Sequence, residues 1–229
     1  MVDQVAEDLL GAIRAELGYK EKADQLTKFG EWYARSVGDP KYKKAPWCDM
    51  FISWAADRAG VTDYVGSFAW TPSHARWFER QGAWSDTPEP GALVFYDWSG
   101  SKDIRKIDHV GVVERVEGAR LHTIEANVDG KWLKRKVRDE DKVVGYGLPR
   151  KVQENQAAAT SLAAAGGDGA RGAAAGAMAA AAPVGGALGP EQILVGAASA
   201  TGVTAAVLLS LLALARRRPA AGRHRRAGG

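Results

Sequence analysis

Cysteine is almost absent from this chain: Cys48 is the only one among 229 residues. A single cysteine excludes an internal disulfide framework and a cysteine-based zinc cluster. Two interpretations remain, an inert thiol in the core or a reactive one. Cys48 directly precedes a predicted helix over residues 49–59. Its sulfur therefore lies where unpaired backbone N–H groups and the helix dipole stabilise a thiolate.

Tryptophan is missing after residue 150, since all eight lie at positions 32, 47, 54, 70, 77, 84, 98 and 132. Charge divides at the same place. Residues 1–150 carry 23 Lys and Arg against 24 Asp and Glu, whereas residues 151–229 carry 8 against 3. The basic excess belongs to the tail, so we expect no nucleic-acid binding by the folded part.

The first half of the chain has the apolar spacing of helices. Residues 1–24 contain one predicted helix, and Gln25 to Ser36 form a second. The helix over 49–59 is apolar apart from a stripe that we expect to face solvent, formed by Asp49, Ser53 and Asp57. A further helix begins at Thr71-Pro72 and ends near Gln81-Gly82, with Thr71 as its predicted N-cap.

From Gly91 onward the period changes to two, which predicts strands. They are "ALVFYDW", "DHVGVVERV", "LHTIEANV" and the segments 131–137 and 143–148. Helices followed by a meander of strands predict an α+β domain that ends near residue 150.

The remaining residues have a different composition. Residues 151–190 are rich in alanine and glycine, which predicts a disordered or loosely helical linker. Residues 193–215 contain no charge and, as a helix, are about 34 Å long, so we predict a transmembrane helix over 192–215 that contacts membrane lipid. The arginine-rich tail 216–229 then lies in the cytoplasm and the domain outside the cell.

Export of the domain is an open point, because the N-terminal segment lacks the pattern of a secretory signal. A true start further upstream, export directed by the span itself, and a domain that stays in the cytoplasm are the three alternatives.

A nucleophilic cysteine needs a base, and the base needs a group that orients it. Of the four histidines, His224 lies among the tail arginines and His74 has no acidic residue close by in sequence. His122 points to the opposite side of its strand from Glu125. His109, at the start of a predicted strand, is the remaining candidate.

The register of two strands decides whether His109 has such a partner. Period two places Glu125 and Asn127 on one face of their strand. His109 shares that face only when it pairs with an odd-numbered residue such as Asn127. This pairing requires a three-residue loop at 117–119 or an equivalent bulge, whereas a two-residue loop turns His109 away. We predict the three-residue loop or the bulge, with Glu125 or Asn127 orienting the imidazole.

Four segments resemble one known family in the right order. They are "TKFGEWYARSVGDPKYKKAPWCDMFISWAADRAG", "PEPGALVFYDW", "IDHVGVVERVEG" and "HTIEANV" with "GYGLPR". They are similar to CHAP domains, the cysteine, histidine-dependent amidohydrolase/peptidase modules related to NlpC/P60 peptidases within the papain-like fold. The resemblance covers residues 25–150 and implies N-terminal helices packed on an antiparallel sheet.

The resemblance also implies hydrolysis of amide bonds in peptidoglycan, by an endopeptidase or an N-acetylmuramoyl-L-alanine amidase. The family's catalytic residues match Cys48, His109 and Glu125, and a following asparagine matches Asn127. Some members bind calcium through an acidic loop before the cysteine. Here that loop is lysine-rich with only Asp39, so we expect no metal and no cofactor.

Four aromatic residues are candidates for lining a substrate groove, namely Trp47, Trp70, Tyr96 and Trp98. Sugar rings and peptide stems pack well on aromatic faces. Two other functions compete with a membrane-anchored peptidoglycan hydrolase. One is a non-catalytic CHAP-like wall-binding module on a membrane anchor, and the other is a cytoplasmic thiol enzyme acting on small amides. The sequence does not predict the oligomeric state.

Overall fold

The computed structural model describes residues 3–129 and 131–177. Within these residues the α-helices are α1 (Gln4–Arg14), α2 (Lys28–Val37), α3 (Cys48–Ala59), α4 (Thr62–Val65), α5 (Thr71–Arg80) and α6 (Pro149–Ala177). The strands are β1 (Trp84–Ser85), β2 (Leu93–Tyr96), β3 (His109–Glu117), β4 (Arg120–Val128), β5 (Trp132–Arg138) and β6 (Val143–Gly147). Short 3₁₀ turns cover Pro40–Lys44 and Ile104–Lys106. The predicted α+β class is confirmed.

Side-chain caps fix where the first two helices begin. The Asp3 side chain accepts a hydrogen bond from the backbone N–H of Ala6 at the start of α1, and Thr27 does the same for Gly30 in α2. Each contact satisfies a backbone donor that the helix itself leaves unpaired. Both helices contribute apolar side chains to one core beside the sheet, including those of Leu9, Ile13 and Phe29.

The polar stripe of α3 differs from the prediction. Asp49 and Ser53 are completely buried, and only Asp57 faces solvent as expected. Their partners lie in the chain segment that follows the helix. Asp49 Oδ1 is 2.7 Å from His74 Nδ1, and Ser53 Oγ donates to the Phe68 carbonyl oxygen at 2.8 Å. Because buried polar groups are normally paired, these contacts explain how Asp49 Oδ1 and Ser53 Oγ can lie inside the protein.

The six strands form one antiparallel sheet in the order β1-β6-β2-β3-β4-β5. The segment β2 to β5 is the predicted meander. β6 does not continue the meander: it returns to pair with the opposite edge of β2. The two-residue strand β1, which the sequence did not predict, pairs with β6.

The β3–β4 hairpin combines both loop alternatives. Glu117 pairs with Arg120, so the turn has two residues and the predicted three-residue loop is wrong. The predicted bulge is present, because the register shifts between Val113 and Arg115. An extra residue on one strand reverses which side chains share a face, so the bulge offsets the effect of the short turn.

The domain extends past its predicted boundary at residue 150. Val152 on α6 is fully buried in the core, and Asn155 Nδ2 donates to the carbonyl oxygen of Gln81 at 2.8 Å. The helix continues into the predicted linker as far as Ala177. Residues 178–190 of that linker, the predicted span 192–215 and the tail 216–229 lie outside the described residues. Among the described helices, none combines the length and apolarity needed to cross a membrane.

Candidate active site

Cys48 is the first residue of α3, so its side chain lies next to the backbone N–H groups of the first helical turn. Trp47 occupies the N-cap position without making a side-chain hydrogen bond to the helix. The first-turn N–H groups therefore have no capping side chain, and their partial positive charge faces the end that carries the thiol. Cys48 is 6% exposed, so little water competes for these groups.

His109 lies between Cys48 and Glu125. Its Nε2 donates a hydrogen bond to Glu125 Oε2 at 3.0 Å, which leaves Nδ1 as the ring nitrogen available to the thiol. Burial lowers the pKa of His109, but hydrogen bonding to Cys48 and to Glu125 outweighs burial and raises this pKa to about 9. The imidazole is therefore positively charged at neutral pH.

The Glu125 carboxylate is fully buried and has four hydrogen bonds. Besides His109, it accepts from Thr123 Oγ1 at 2.6 Å and from Nε and Nη2 of Arg138 at 2.9 and 2.6 Å. Burial alone raises the pKa of Glu125, but the hydrogen bonds from Arg138 and His109 lower it to about 2. The carboxylate is thus ionised and acts as an acceptor for the imidazole.

Arg138 and Thr123 were not predicted as site residues. Thr123 had a detectable signal in the sequence, since it lies two residues before Glu125 and a period of two puts both on the same face of the strand. Arg138 is the last residue of β5, and its position depends on a second register shift between Glu125 and Val128. A shift of that kind cannot be inferred from alternation alone.

Asn127 occupies this second irregularity. It is half-buried, its φ is 61°, and it lies between the paired positions Glu125 and Val128. Asparagine tolerates the left-handed region better than most residues do. The Nε2 partner of His109 is Glu125 and not Asn127. Cys48 is the other hydrogen-bond partner of the His109 ring, so Cys48, His109 and Glu125 lie together.

Gly111 makes the approach of β3 to β4 possible. A Cβ atom at this position would lie 2.7 Å from Glu125 Cγ, which is shorter than carbon atoms normally approach. The space that a side chain would fill on β3 is taken by the stem of Glu125. Glycine is therefore required where the carboxylate passes over the strand toward His109.

Two of the four predicted groove residues are in the core. Trp47 and Tyr96 are each 0% exposed, so the prediction that they line a groove is wrong. Trp47 donates from Nε1 to Glu21 Oε2 at 3.0 Å, and the Tyr96 ring stacks on the inner side of Trp98 with centroids 5.0 Å apart. The sequence alone does not distinguish an aromatic residue in the core from one that lines a groove, which explains the error.

Trp70 and Trp98 are 61% and 42% exposed. The Trp98 ring lies 5.7 Å from the ring of His109. Trp70 directly precedes Thr71, whose hydroxyl donates to the carbonyl oxygen of Ile107, two residues before His109. The exposed Trp98 indole therefore lies beside His109, and Trp70 directly precedes a residue that is hydrogen-bonded to the segment leading into β3.

The loop before Cys48 contains one acidic side chain, Asp39, and its carboxylate pairs with Lys41 at 2.6 Å. Across residues 3–129 and 131–177, no three His, Cys, Asp or Glu side chains are placed together as metal ligands.

The fold and the site define an α+β protein with a buried cysteine, histidine and glutamate cluster beneath a helix N-terminus. Residues 40–127 match the family model of the CHAP domain. This range includes Cys48, His109 and Glu125, and it ends before Arg138. No curated protein sequence is significantly similar to the chain.

Several solved structures are similar to this chain. Two are crystal structures of Ly7917, one of them with the hydrolyzing product of MDP. Their sequences are 20% and 19% identical to this chain, respectively. Each match has a TM-score of 0.39 and covers 63% of this chain and 62% of that chain. A third is a protein described as similar to lipoprotein, NLP/P60 family, from Staphylococcus aureus, with 14% identity and a TM-score of 0.35 over 65% of this chain and 42% of that chain. The matched regions span less than two thirds of each of these proteins.

Proposed function

We propose that the protein is a cysteine hydrolase that cleaves amide bonds in bacterial peptidoglycan, as an endopeptidase or an N-acetylmuramoyl-L-alanine amidase. The observation that carries this proposal is the placement of His109 between Cys48 and an ionised, fully buried Glu125. A purely structural cysteine needs neither a basic partner nor an orienting carboxylate. The CHAP match over residues 40–127 supports the same class.

The first half of the reaction forms an acyl-enzyme. The Cys48 sulfur, having given its proton to Nδ1 of His109, attacks the carbonyl carbon of the scissile amide. The carbonyl oxygen becomes negatively charged, and the free N–H groups at the start of α3 stabilise that charge. The His109 imidazolium then gives its proton to the leaving nitrogen, so that the C–N bond breaks and an amine departs.

The second half releases the acid. A water molecule gives a proton to Nδ1 of His109 and attacks the thioester carbon. The C–S bond breaks, the product leaves as a carboxylic acid that gives its proton to solvent, and the Cys48 thiolate and the His109 imidazolium are restored. Throughout both halves Glu125 keeps Nε2 of His109 hydrogen-bonded and its ring orientation fixed.

Trp98 and Trp70 are the side chains that we assign to substrate contact. Both rings are exposed, and that of Trp98 lies 5.7 Å from the ring of His109. Exposed indoles offer flat apolar surfaces to sugar rings and to the methyl groups of peptide stems. That one similar structure holds the hydrolyzing product of MDP agrees with a peptidoglycan substrate.

The test uses the full chain and intact peptidoglycan. Wild type should release new amines, and Cys48→Ala and His109→Ala should release none. His122→Ala is the matched control, because His122 lies on the same sheet and pairs with the exposed Glu117 instead of with the site. Mass analysis of the fragments identifies the bond. Equal release from wild type and Cys48→Ala would remove the catalytic role, and retained binding in that case would favour a non-catalytic wall-binding module.

We also propose that residues 192–215 anchor the chain in the cell membrane, with the domain outside and residues 216–229 in the cytoplasm. The uncharged run 193–215 followed by six arginines supports this orientation. Protease added to intact cells should then degrade the domain and spare an epitope placed after Gly229. Protection of the domain would contradict the orientation, and recovery of the full chain in the soluble fraction would contradict the anchor.

A further inference from the structure

Two of the four hydrogen bonds of the Glu125 carboxylate come from Arg138, a residue outside the range that matches the CHAP family. Nε of Arg138 reaches one carboxylate oxygen and Nη2 reaches the other. Such a two-point contact fixes the plane of a carboxylate, because the guanidinium and the carboxylate have matching geometry. Nη2 of Arg138 and Nε2 of His109 share the same oxygen, Oε2, so Arg138 helps to set the orientation of the carboxylate that His109 contacts.

The charge state of Glu125 controls where His109 carries its hydrogen. An ionised Glu125 can only accept, so Nε2 of His109 must carry the hydrogen that it donates. A protonated Glu125 can donate to Nε2 instead, and the hydrogen of the neutral ring then moves to Nδ1. In that tautomer Nδ1 cannot take a proton from Cys48. A buried carboxylate stays ionised only with cationic or hydrogen-bonding partners, and Arg138 is a permanent one.

We propose that Arg138 is a positioning residue, which holds Glu125 as a hydrogen-bond acceptor so that the neutral His109 ring carries its hydrogen on Nε2. The effect on the tautomer follows from the contacts alone. Its effect on catalysis rests on the proposed function.

The surroundings of Arg138 strengthen its hold on Glu125. Its side chain is only 24% exposed, and the guanidinium lies 5.0 Å from the ring of Trp98 and 5.9 Å from that of Tyr96. These rings exclude water, so the attraction between Arg138 and Glu125 is less screened than at the surface. Three other ionisable groups act on Arg138, Glu125 or His109, namely Cys48 from α3, Tyr96 from β2 and Asp129 after β4. Asp129 is itself paired with Lys136 of β5.

The test reads the tautomer directly in the full chain. Histidine labelled with ¹⁵N shows by NMR which ring nitrogen of His109 loses its hydrogen when the pH is raised. A Cys48→Ala background removes titration of the thiol, and a His109→Gln spectrum assigns the signals. We expect Nδ1 to lose its hydrogen when Arg138 is intact. Arg138→Met should shift the neutral ring toward the Nδ1–H tautomer, and Arg138→Lys, which keeps the charge without the two-point contact, should lie between.

Arg115→Met is the matched control, since Arg115 is exposed and pairs with Glu117 at the far end of the hairpin. It should leave the tautomer unchanged. In a Glu125→Gln background, Arg138→Met should have no further effect, because Arg138 acts only through the carboxylate. If Arg138→Met does not fold, Arg138→Lys serves as the test variant. The proposal is overturned if any folded Arg138 variant has the same His109 tautomer as the Cys48→Ala protein with Arg138 intact.

Activity gives a second measurement with Cys48 present. Arg138→Met should lower kcat on the order of a hundredfold and change KM little, because the misplaced group is the base and not the substrate contact. A chain that hydrolyses no peptidoglycan would refute the proposed function, while the NMR result would still decide on Arg138. A lower kcat with an unchanged tautomer would overturn the positioning role.

Discussion

His109 is the residue whose protonation makes the activity of the site depend on pH. Burial favours the neutral ring, whereas Cys48 and Glu125 favour the charged one, and the pKa rises from its ordinary value near 6.5 to about 9. A raised pKa means that the charged form persists below it and disappears as the pH passes through it. The leaving nitrogen needs the proton of this charged form, so activity depends on the same titration.

We therefore expect kcat/KM of the wild-type chain to fall as the pH rises through about 9. Glu125→Gln removes one of the contacts that raise the pKa of His109, so its alkaline limb should move to lower pH. Initial rates of amine release between about pH 6 and about pH 10 measure both profiles. A wild-type limb near the ordinary histidine pKa would contradict the raised value.

Asp49, the residue directly after Cys48, and His74 form a second buried acid–histidine pair among the described residues. His74 is 0% exposed, and its Nε2 donates to the carbonyl oxygen of Val65 at 2.7 Å. With one ring nitrogen donating there, the other depends entirely on Asp49. This pair ties the start of α3 to α5, which makes it a structural contact beneath the site.

Removing that contact should destabilise the fold. Asp49→Ala leaves Nδ1 of His74 buried without a partner, and we expect a loss of roughly 3 kcal/mol in the free energy of unfolding. Asp57→Ala on the same helix removes an exposed carboxylate and should change stability by less than about 0.5 kcal/mol. Urea unfolding followed by circular dichroism compares the two. Equal losses would mean that the buried pair contributes no more than a surface charge.

At the level of elements, β3 and β4 build the site through a close backbone approach. Gly111→Ala would place a methyl group against Glu125 Cγ and push the carboxylate away from His109. We expect kcat to drop on the order of a hundredfold, since a shift of about 1 Å in a catalytic group has effects of this size. Rates of amine release, beside a thermal melt that shows a folded domain, measure the effect.

Gly11→Ala is the control for this change. It lies within α1, where an added methyl group meets nothing within 4 Å, so activity should stay at the wild-type level. Alanine in a helix interior should even add about 0.5–1 kcal/mol of stability. Wild-type activity in Gly111→Ala would show that the approach of the strands does not set the position of Glu125.

The sequence predicted most helices and strands and the cluster of Cys48, His109 and Glu125, but it did not predict contacts between residues far apart along the chain. Cys48 and His109 could be selected because the chain has one cysteine and few histidines, and because alternation assigns Glu125 to a face. Asp49 looked like a solvent-facing residue, since its partner is 25 residues away along the chain. Arg138 required the register of β5, which a local irregularity alters. Periodicity describes one element at a time, and these contacts join two.

For the whole molecule, α6 belongs to the folded unit. Val152 packs in the core, Asn155 binds the end of α5, and Arg150 pairs with Glu89 at 3.0 Å. The alanine-rich composition after residue 150 concealed this, because only a few side chains at the start of the helix make these contacts. The folded domain therefore extends into α6, past the change in composition at residue 150.

Shortened chains should reveal this boundary. Residues 1–150 should be less stable than residues 1–164 by about 2–4 kcal/mol, because the shorter chain lacks the buried Val152. Within the longer chain, Val152→Ala should lower the midpoint of urea unfolding, whereas Leu162→Ala should leave it unchanged, since Leu162 is 75% exposed. Identical unfolding curves for the two lengths would show that α6 adds nothing to the fold.

The bulge in β3 lies between the tip of the β3–β4 hairpin and the end of β3 that carries His109. Beyond it, the turn at Gly118 and Ala119 is exposed, and a Cβ atom at Gly118 would meet nothing within 4 Å. We expect an epitope or a fluorophore-binding peptide inserted between these two residues to leave the strand pairing near His109 unchanged, because exposed loop tips tolerate insertions. The hairpin tip is thus a position at which the protein could be labelled or immobilised while the arrangement of Cys48, His109 and Glu125 stays intact.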